Sequence, residues 1–165
     1  MKISVDLIKT LRDRTGAGIG SCKKALIEAE GDIEKAYDIL RLKGEKNAES
    51  KSSRSAGEGK VAVSVQKDAV AMVTVNCETD FVSKGEKFQN FADELGRIAL
   101  EHGANSVEEL LALAYGDSTV EAARVEMVGW VGENIKITAV HYQKHEGAFV
   151  SVYKHGEKLA CAVFT

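Results

Sequence analysis

Residues 75–91 read VNCETDFVSKGEKFQNF, and two periodicities meet inside them. Upstream, Val61, Val63 and Val65 alternate with small or polar residues, and Val70, Met72 and Val75 follow after a Lys67-Asp68 turn. That period of two predicts an antiparallel strand pair ending at Asn76-Cys77. Downstream, Phe88, Phe91, Ala92, Leu95, Ile98 and Ala99 recur at steps of three and four, which predicts a helix over 83–103 that stops at His102-Gly103. A strand pair feeding directly into an amphipathic helix places the chain in the α+β class.

Phe81 and Val82 fall on the corner between strand and helix, and two readings of them stand side by side. In one, Thr79 or Ser83 caps the helix and Phe81 packs back on it as a hydrophobic staple. In the other, Phe81 is an apolar probe beside the Asp80 carboxylate, held on a rigid turn and offered to a partner.

Working outward, helical spacing fills the first 44 positions. Leu7, Ile8 and Leu11 form one stripe, with Ser4 placed as N-cap and Asp6 in the first turn. Ile19, Cys22, Ala25, Leu26 and Ala29 form a second, ended by Gly31; Asp32 caps a third with Ile33, Ala36, Tyr37 and Leu40 inward, closed by Gly44. Three short helices make a minimal bundle with little core. The next stretch, EKNAESKSSRSAGEGK at 45–60, carries four serines and almost no apolar content, and reads as a flexible linker over 45–59. Beyond the central helix, helical stretches are expected near 106–115 and 118–131. A last β set follows: Ile135, Ile137 and Ala139 alternate, Phe149 and Val152 flank a second strand, and 159–164 form a third.

Composition narrows the function. Among 165 residues, 44% are hydrophobic and 28% charged, as in a globular protein with a core. The net charge of −3 offers no basic field for nucleic acid. Apolar runs fall far short of the roughly 18 residues a membrane span needs. Met1-Lys2 leads into the first amphipathic pattern without a targeting segment. The three cysteines, Cys22, Cys77 and Cys161, show no CxxC spacing, which suits free, mostly buried thiols in the reducing cytoplasm.

The glycine run TGAGIGSCKKAL at 15–26 resembles a phosphate-cradling loop only superficially. Counted from Gly16 the sixth position is Ser21, Lys23 is followed by Lys24 rather than a hydroxyl, and a helix rather than a strand precedes the glycines. A tight turn that lets helices approach closely explains the glycines better. A turn whose exposed face also meets a partner, through Ile19 and Lys23, remains as a second reading. His141 and His145 fall in a strand region with no cysteine or carboxylate cluster beside them, so no metal site is expected. No nucleophile, base and acid share a pattern, and no catalytic residue is assigned.

Four blocks, GAGIGSCKKAL, GDIEKAYDILR, NCETDFVS and VGENIKI, resemble the elongation factor Ts family in order and spacing, with TDFV the most specific. The resemblance implies a guanine nucleotide exchange factor, not an enzyme. Its partner would be elongation factor Tu, the GTPase that carries aminoacyl-tRNA to the ribosome, in GDP-bound and nucleotide-free forms. It implies no cofactor, no metal, no direct nucleic-acid contact and no membrane. Thr79, Asp80, Phe81 and Val82 would be the exchange residues, with Asp80 and Phe81 pressing between helices of the nucleotide domain near magnesium and phosphate. Residues 1–44 would be a ubiquitin-associated-like bundle that docks through Arg12, Ile19, Gly20 and Lys23; the family often has two methionines where this chain has Ile19-Gly20. Tyr153, His155 and Gly156 would belong to a second-subdomain contact. On this division 60–132 is the first core subdomain and 133–165 the start of a second, incomplete one. The apolar end KLACAVFT then suggests truncation, with an open sheet edge favouring a homodimer. A ubiquitin-associated-type binding module without exchange activity is the alternative.

Overall fold

A computed structural model describes residues 3–165; Met1 and Lys2, where the expected bundle begins, lie outside the described residues. The described residues divide into two compact units, those up to Ser53 with 125–133, and 54–124 with 134–165.

The first unit holds three helices, α1 (Val5–Thr15), α2 (Ile19–Glu28) and α3 (Ile33–Lys51). Ser4 caps α1 by accepting from the Leu7 N–H, and Asp32 caps α3 by accepting from Glu34 and Lys35 N–H groups. The core is built from Leu11, Cys22, Ala25, Leu26, Ala29 and Ala36, with Leu7, Ile8, Ile33 and Leu40 packed around it. Four of those six buried residues are cysteine or alanine, so the area taken out of water is small.

Two expectations need correction here. The third helix does not close at Gly44; α3 continues to Lys51, so the first seven residues of the expected linker are helical. Gly44 keeps helical geometry inside α3, with Val125 at ordinary contact distance, 3.6 Å from where a Cβ would stand, and Ala48 beyond it is buried. Residues 125–133 also group with the bundle, and not, as expected, 125–132 with the first core subdomain and 133 with the second. Within that unit the Tyr37 hydroxyl donates to Glu126 at 3.2 Å, and Trp130 Nε1 donates to the Thr15 carbonyl at 2.7 Å.

The second unit is organised on a three-stranded antiparallel sheet in the order β1 (Glu58–Gln66), β2 (Ala69–Cys77), β5 (Lys136–Lys144). The β1–β2 turn is Lys67-Asp68, with Lys67 at φ 45°. A bulge between Thr74 and Val75 shifts the β2–β5 register. Helix α5 (Glu86–His102) covers one face with Phe88, Phe91, Ala92, Leu95, Ile98 and Ala99, all buried. The covered face of β1 carries Lys60, Ala62 and Ser64, not the alternating valines. A Cβ at Gly96 would stand 3.1 Å from Ser64 Oγ and 3.3 Å from Ala62 Cβ. Bulky helix residues meet small strand residues here, while Val65 on the opposite face stays exposed.

A single turn, α4 (Asp80–Ser83), joins β2 to α5. The expected helix near 106–115 is shorter, α6 (Val107–Ala112), because Gly116 at φ 58° turns the chain into a minimal hairpin of β3 (Ala114–Tyr115) and β4 (Ser118–Thr119). α7 (Val120–Val131) follows. The chain finishes in a separate two-stranded hairpin, β6 (Val150–His155) with β7 (Leu159–Phe164), on which no residue is fully buried.

Candidate functional site

The corner at Thr79–Val82 forms because the two partners of a helix start are supplied locally. Thr79 has extended backbone and its hydroxyl accepts from the Val82 N–H, a long 3.5 Å cap, while Asp80 sits in the first turn. Ser83 is buried and its hydroxyl donates to the Asp80 carbonyl at 3.1 Å. Ser83 is therefore a brace inside the turn rather than a cap, and Gly85 occupies the N-cap position of α5.

Four residues cannot hold a helix by their own bonds, and the supports come from outside the turn. The Cys77 thiol donates to the Thr79 carbonyl at 3.2 Å. Glu78 accepts the Asn134 N–H at 2.7 Å and faces Arg54 at 3.5 Å; Asn134 in turn donates from its side chain to the Arg54 carbonyl at 2.9 Å. On the other side, Gln89 Nε2 donates to the Ser83 carbonyl, while the buried Lys60 donates to Gln89 Oε1 at 2.6 Å.

On this braced corner Phe81 is 86% exposed. The staple reading is overturned: the ring does not pack back on the helix. Asp80 beside it pairs with Lys84, one turn on, at 2.7 Å. That hydrogen bond, followed by Coulomb attraction to the ammonium, holds the Asp80 carboxyl below the ordinary aspartate value and raises Lys84 correspondingly. An open depression beside the corner is lined by Glu58, Glu78, Thr79, Asp80, Phe81, Lys84 and Lys158.

Lys158 belongs to the β6–β7 turn, so one surface joins TDFV to the stretch VYKHGEKL. Lys158 pairs with Glu58 at 2.6 Å, and the Glu157 carbonyl accepts the Val61 N–H at 2.7 Å. Tyr153 and His155 lie on that hairpin, exposed, with the tyrosine hydroxyl 3.3 Å from His155 Nδ1; Gly156 turns the chain at φ 61°. Neither Tyr153 nor His155 lines the depression.

Arg12, Ile19, Gly20 and Lys23 lie in the first unit. All four are exposed, and Ile19 at the start of α2 is 58% so. Gly20 faces open space. Gly16, by contrast, is required by the packing around it. At φ 63° it caps α1, and a Cβ there would fall 1.2 Å from the Trp130 indole. The close approach that the glycine run permits is thus made by α7.

Among the described residues no group of three His, Cys, Asp or Glu side chains could hold a metal ion, and no helix is long and apolar enough to cross a membrane. His141 and His145 are exposed, each beside Gln143. Reading the chain in sequence missed Lys60, Glu78, Gln89 and Asn134 as supports of the corner. For Lys60 a signal existed: a lysine sharing the parity of Ala62 and Ser64 on a strand facing an amphipathic helix.

Comparison with known proteins closes the question of family. The family model described as Elongation factor TS matches residues 78–165, more than half of the chain. The chain belongs to the elongation factor Ts family. Elongation factor Ts of Methylococcus capsulatus is 42% identical over 166 residues, covering 99% of this chain and 57% of that protein. The Psychrobacter arcticus and Chloroherpeton thalassium proteins of the same name are 42% and 44% identical, and the chain covers 55% and 58% of them. The chain therefore spans somewhat more than half the length of these family members. The matched range includes Thr79–Val82 and Tyr153–Gly156; Arg12, Ile19, Gly20 and Lys23 precede it.

Proposed function

We propose that this chain is a guanine nucleotide exchange factor that binds elongation factor Tu, GDP-bound and nucleotide-free, and promotes GDP release by pressing Asp80 and Phe81 beside the nucleotide and magnesium site. The observation that carries the reading is the exposure of Phe81, 86%, on a corner with supports on both sides. A free phenylalanine ring is costly to leave in water, and a rigid turn is what makes it useful to a partner.

The mechanism needs no bond-making step and no cofactor. A protein that binds the empty GTPase more tightly than the loaded one lowers nucleotide affinity by the same factor. One phenylalanine entering a pocket that opens only in the empty state contributes about 1.5–3 kcal/mol, on the order of 10- to 150-fold. Asp80, ionised beside the ring, adds repulsion toward phosphate and competes for water on magnesium. Arg12, Ile19, Gly20 and Lys23 on the bundle, with Tyr153, His155 and Gly156 on the hairpin, supply affinity that does not depend on the nucleotide state. The place of action is the cytoplasm, without membrane or direct nucleic-acid contact. Phe149, Leu159 and Val163, each more than half exposed at the β6–β7 hairpin, give a homodimer a face to form on; light scattering that finds only monomer at high concentration removes that part.

The test is release of fluorescent GDP from elongation factor Tu, with and without the chain. Phe81→Ala is expected to reduce the acceleration at least tenfold, about the loss of one buried aromatic anchor, with an unchanged melting curve. Full acceleration by that variant would sink the assignment of Phe81. The alternative, a ubiquitin-associated-type module that only captures a protein, calls for an exposed aromatic in the loop after α1; TGAGIG has none.

A further inference from the structure

Lys60 stands on the helix-covered face of β1, where its neighbours are Ala62 and Val75, and it is only 5% exposed. Its ammonium donates to Gln89 Oε1 at 2.6 Å and to the Asp93 carboxylate at 2.8 Å, with Glu157 at 3.6 Å. With Oε1 engaged, Gln89 has its Nε2 side turned toward α4, where it donates to the Ser83 carbonyl. The two ends of a primary amide are nearly equal in size, so bonding partners alone decide which end faces where.

We infer that Lys60 and Gln89 form a positioning pair for the Asp80–Phe81 turn: Lys60 sets the orientation of the Gln89 amide, and that amide holds the last carbonyl of α4. The inference rests on the exchange reading for its functional consequence, but not for its geometry. Stability is a poor reason to bury this cation, since an apolar side chain of similar volume often replaces a buried ion pair at no loss. Fixing an exposed aromatic in one place is a better one. The same ammonium draws in Glu157, whose carbonyl takes the Val61 N–H, so the β6–β7 turn is tied to the support of the corner.

Lys60→Met keeps the stem and removes the charge. In the free chain, nitrogen-15 NMR reads the Gln89 side-chain amide, and amide hydrogen exchange reads Lys84 and Gly85, whose N–H groups close α4. The expected result is a melting temperature within about 3 °C of the parent, with Gln89 protons that lose their distinct shifts and faster exchange at Lys84 and Gly85. In GDP release the maximal acceleration is expected to fall about tenfold, one hydrogen bond's worth, with the half-maximal concentration little changed. Gln89→Met should lose the same factor, and the double variant no more than either single one. Gln89 protons undisturbed by Lys60→Met overturn the inference. So does full maximal acceleration by both variants of an active parent. A parent chain that accelerates nothing overturns the exchange reading instead, and the NMR signals still decide whether the pair holds the turn. Should Lys60→Met fail to fold, Gln89→Met carries the same exchange readout at Lys84 and Gly85, with Lys60 still paired to Asp93 and Glu157.

Discussion

Of the helices that start beside an exposed apolar residue, α2 and α4 are held in opposite ways. α2 opens at Ile19, 58% exposed; its cap Gly18 makes no side-chain bond, and the helix is anchored by Cys22, Ala25 and Leu26 on its far face. α4 carries Phe81, 86% exposed, on only four residues, and is gripped at its ends by Cys77, Gln89 and the Glu78–Asn134 contact. A packed helix face can lose one contact and still present the rest. A single turn held by directional bonds presents one geometry or none. The first arrangement suits affinity that is blind to the partner's state, and the second suits discrimination between two states.

The largest effect that could break this contrast is expected at Gly16. A side chain there meets two obstacles at once, the left-handed φ of 63° and the Trp130 indole 1.2 Å from its Cβ. Gly16→Ala is therefore expected to destabilise the first unit by about 2–4 kcal/mol, part backbone and part displaced indole. Circular dichroism melting with tryptophan fluorescence checks it, since Trp130 is the one tryptophan. If the bundle melts unchanged, the helical unit is not held by packing as argued, and the comparison loses one side.

The next effect separates the two surfaces by kinetics. On the proposed docking role of the bundle, Ile19→Ala should raise the concentration for half-maximal GDP release about two- to fivefold and leave the maximal rate alone. Phe81→Ala should do the reverse, lowering the maximal rate. An Ile19 variant that cut the maximum would move discrimination onto the bundle.

The contrast also explains what could be read from the sequence. Strand pairs, the α5 helix and the bundle follow from period-two and period-3.6 patterns, because burial in each is set by local neighbours. The extension of α3 past Gly44 was not legible, since the apolar contacts along it, Ala48 buried and Val125 beside Gly44, are few and partly come from far along the chain. Phe81 is open between staple and probe for a related reason: the pattern of residues 75–91 permits both, and only the exposure of the folded ring decides. The corner's supports, Lys60, Gln89 and Asn134, make bonds that reach across as many as 80 positions of the chain. Which face of β1 is covered was not legible either: the alternating valines mark a strand, while the bulk of α5 is met by Ala62 and Ser64 on the other face.

The smallest effect concerns Asp80, and it tests whether the corner's charge is as fixed as its backbone. Lys84 lowers the Asp80 pKa, first by hydrogen bond and then by charge. Between that lowered value and the ordinary aspartate value, the unfolded chain binds the extra proton. The pair's contribution to stability is thus full above the ordinary aspartate pKa and is lost as pH falls through the lowered one. Lys84→Met should move the Asp80 titration, followed by carbon-13 NMR of its carboxyl, upward toward the ordinary value. At neutral pH the carboxylate is ionised in both forms, so GDP release should change by less than about threefold, as for an exposed pair. A wild-type midpoint at or above the ordinary value would mean that Lys84 does not hold the carboxylate, and that Asp80 swings free beside a ring that does not.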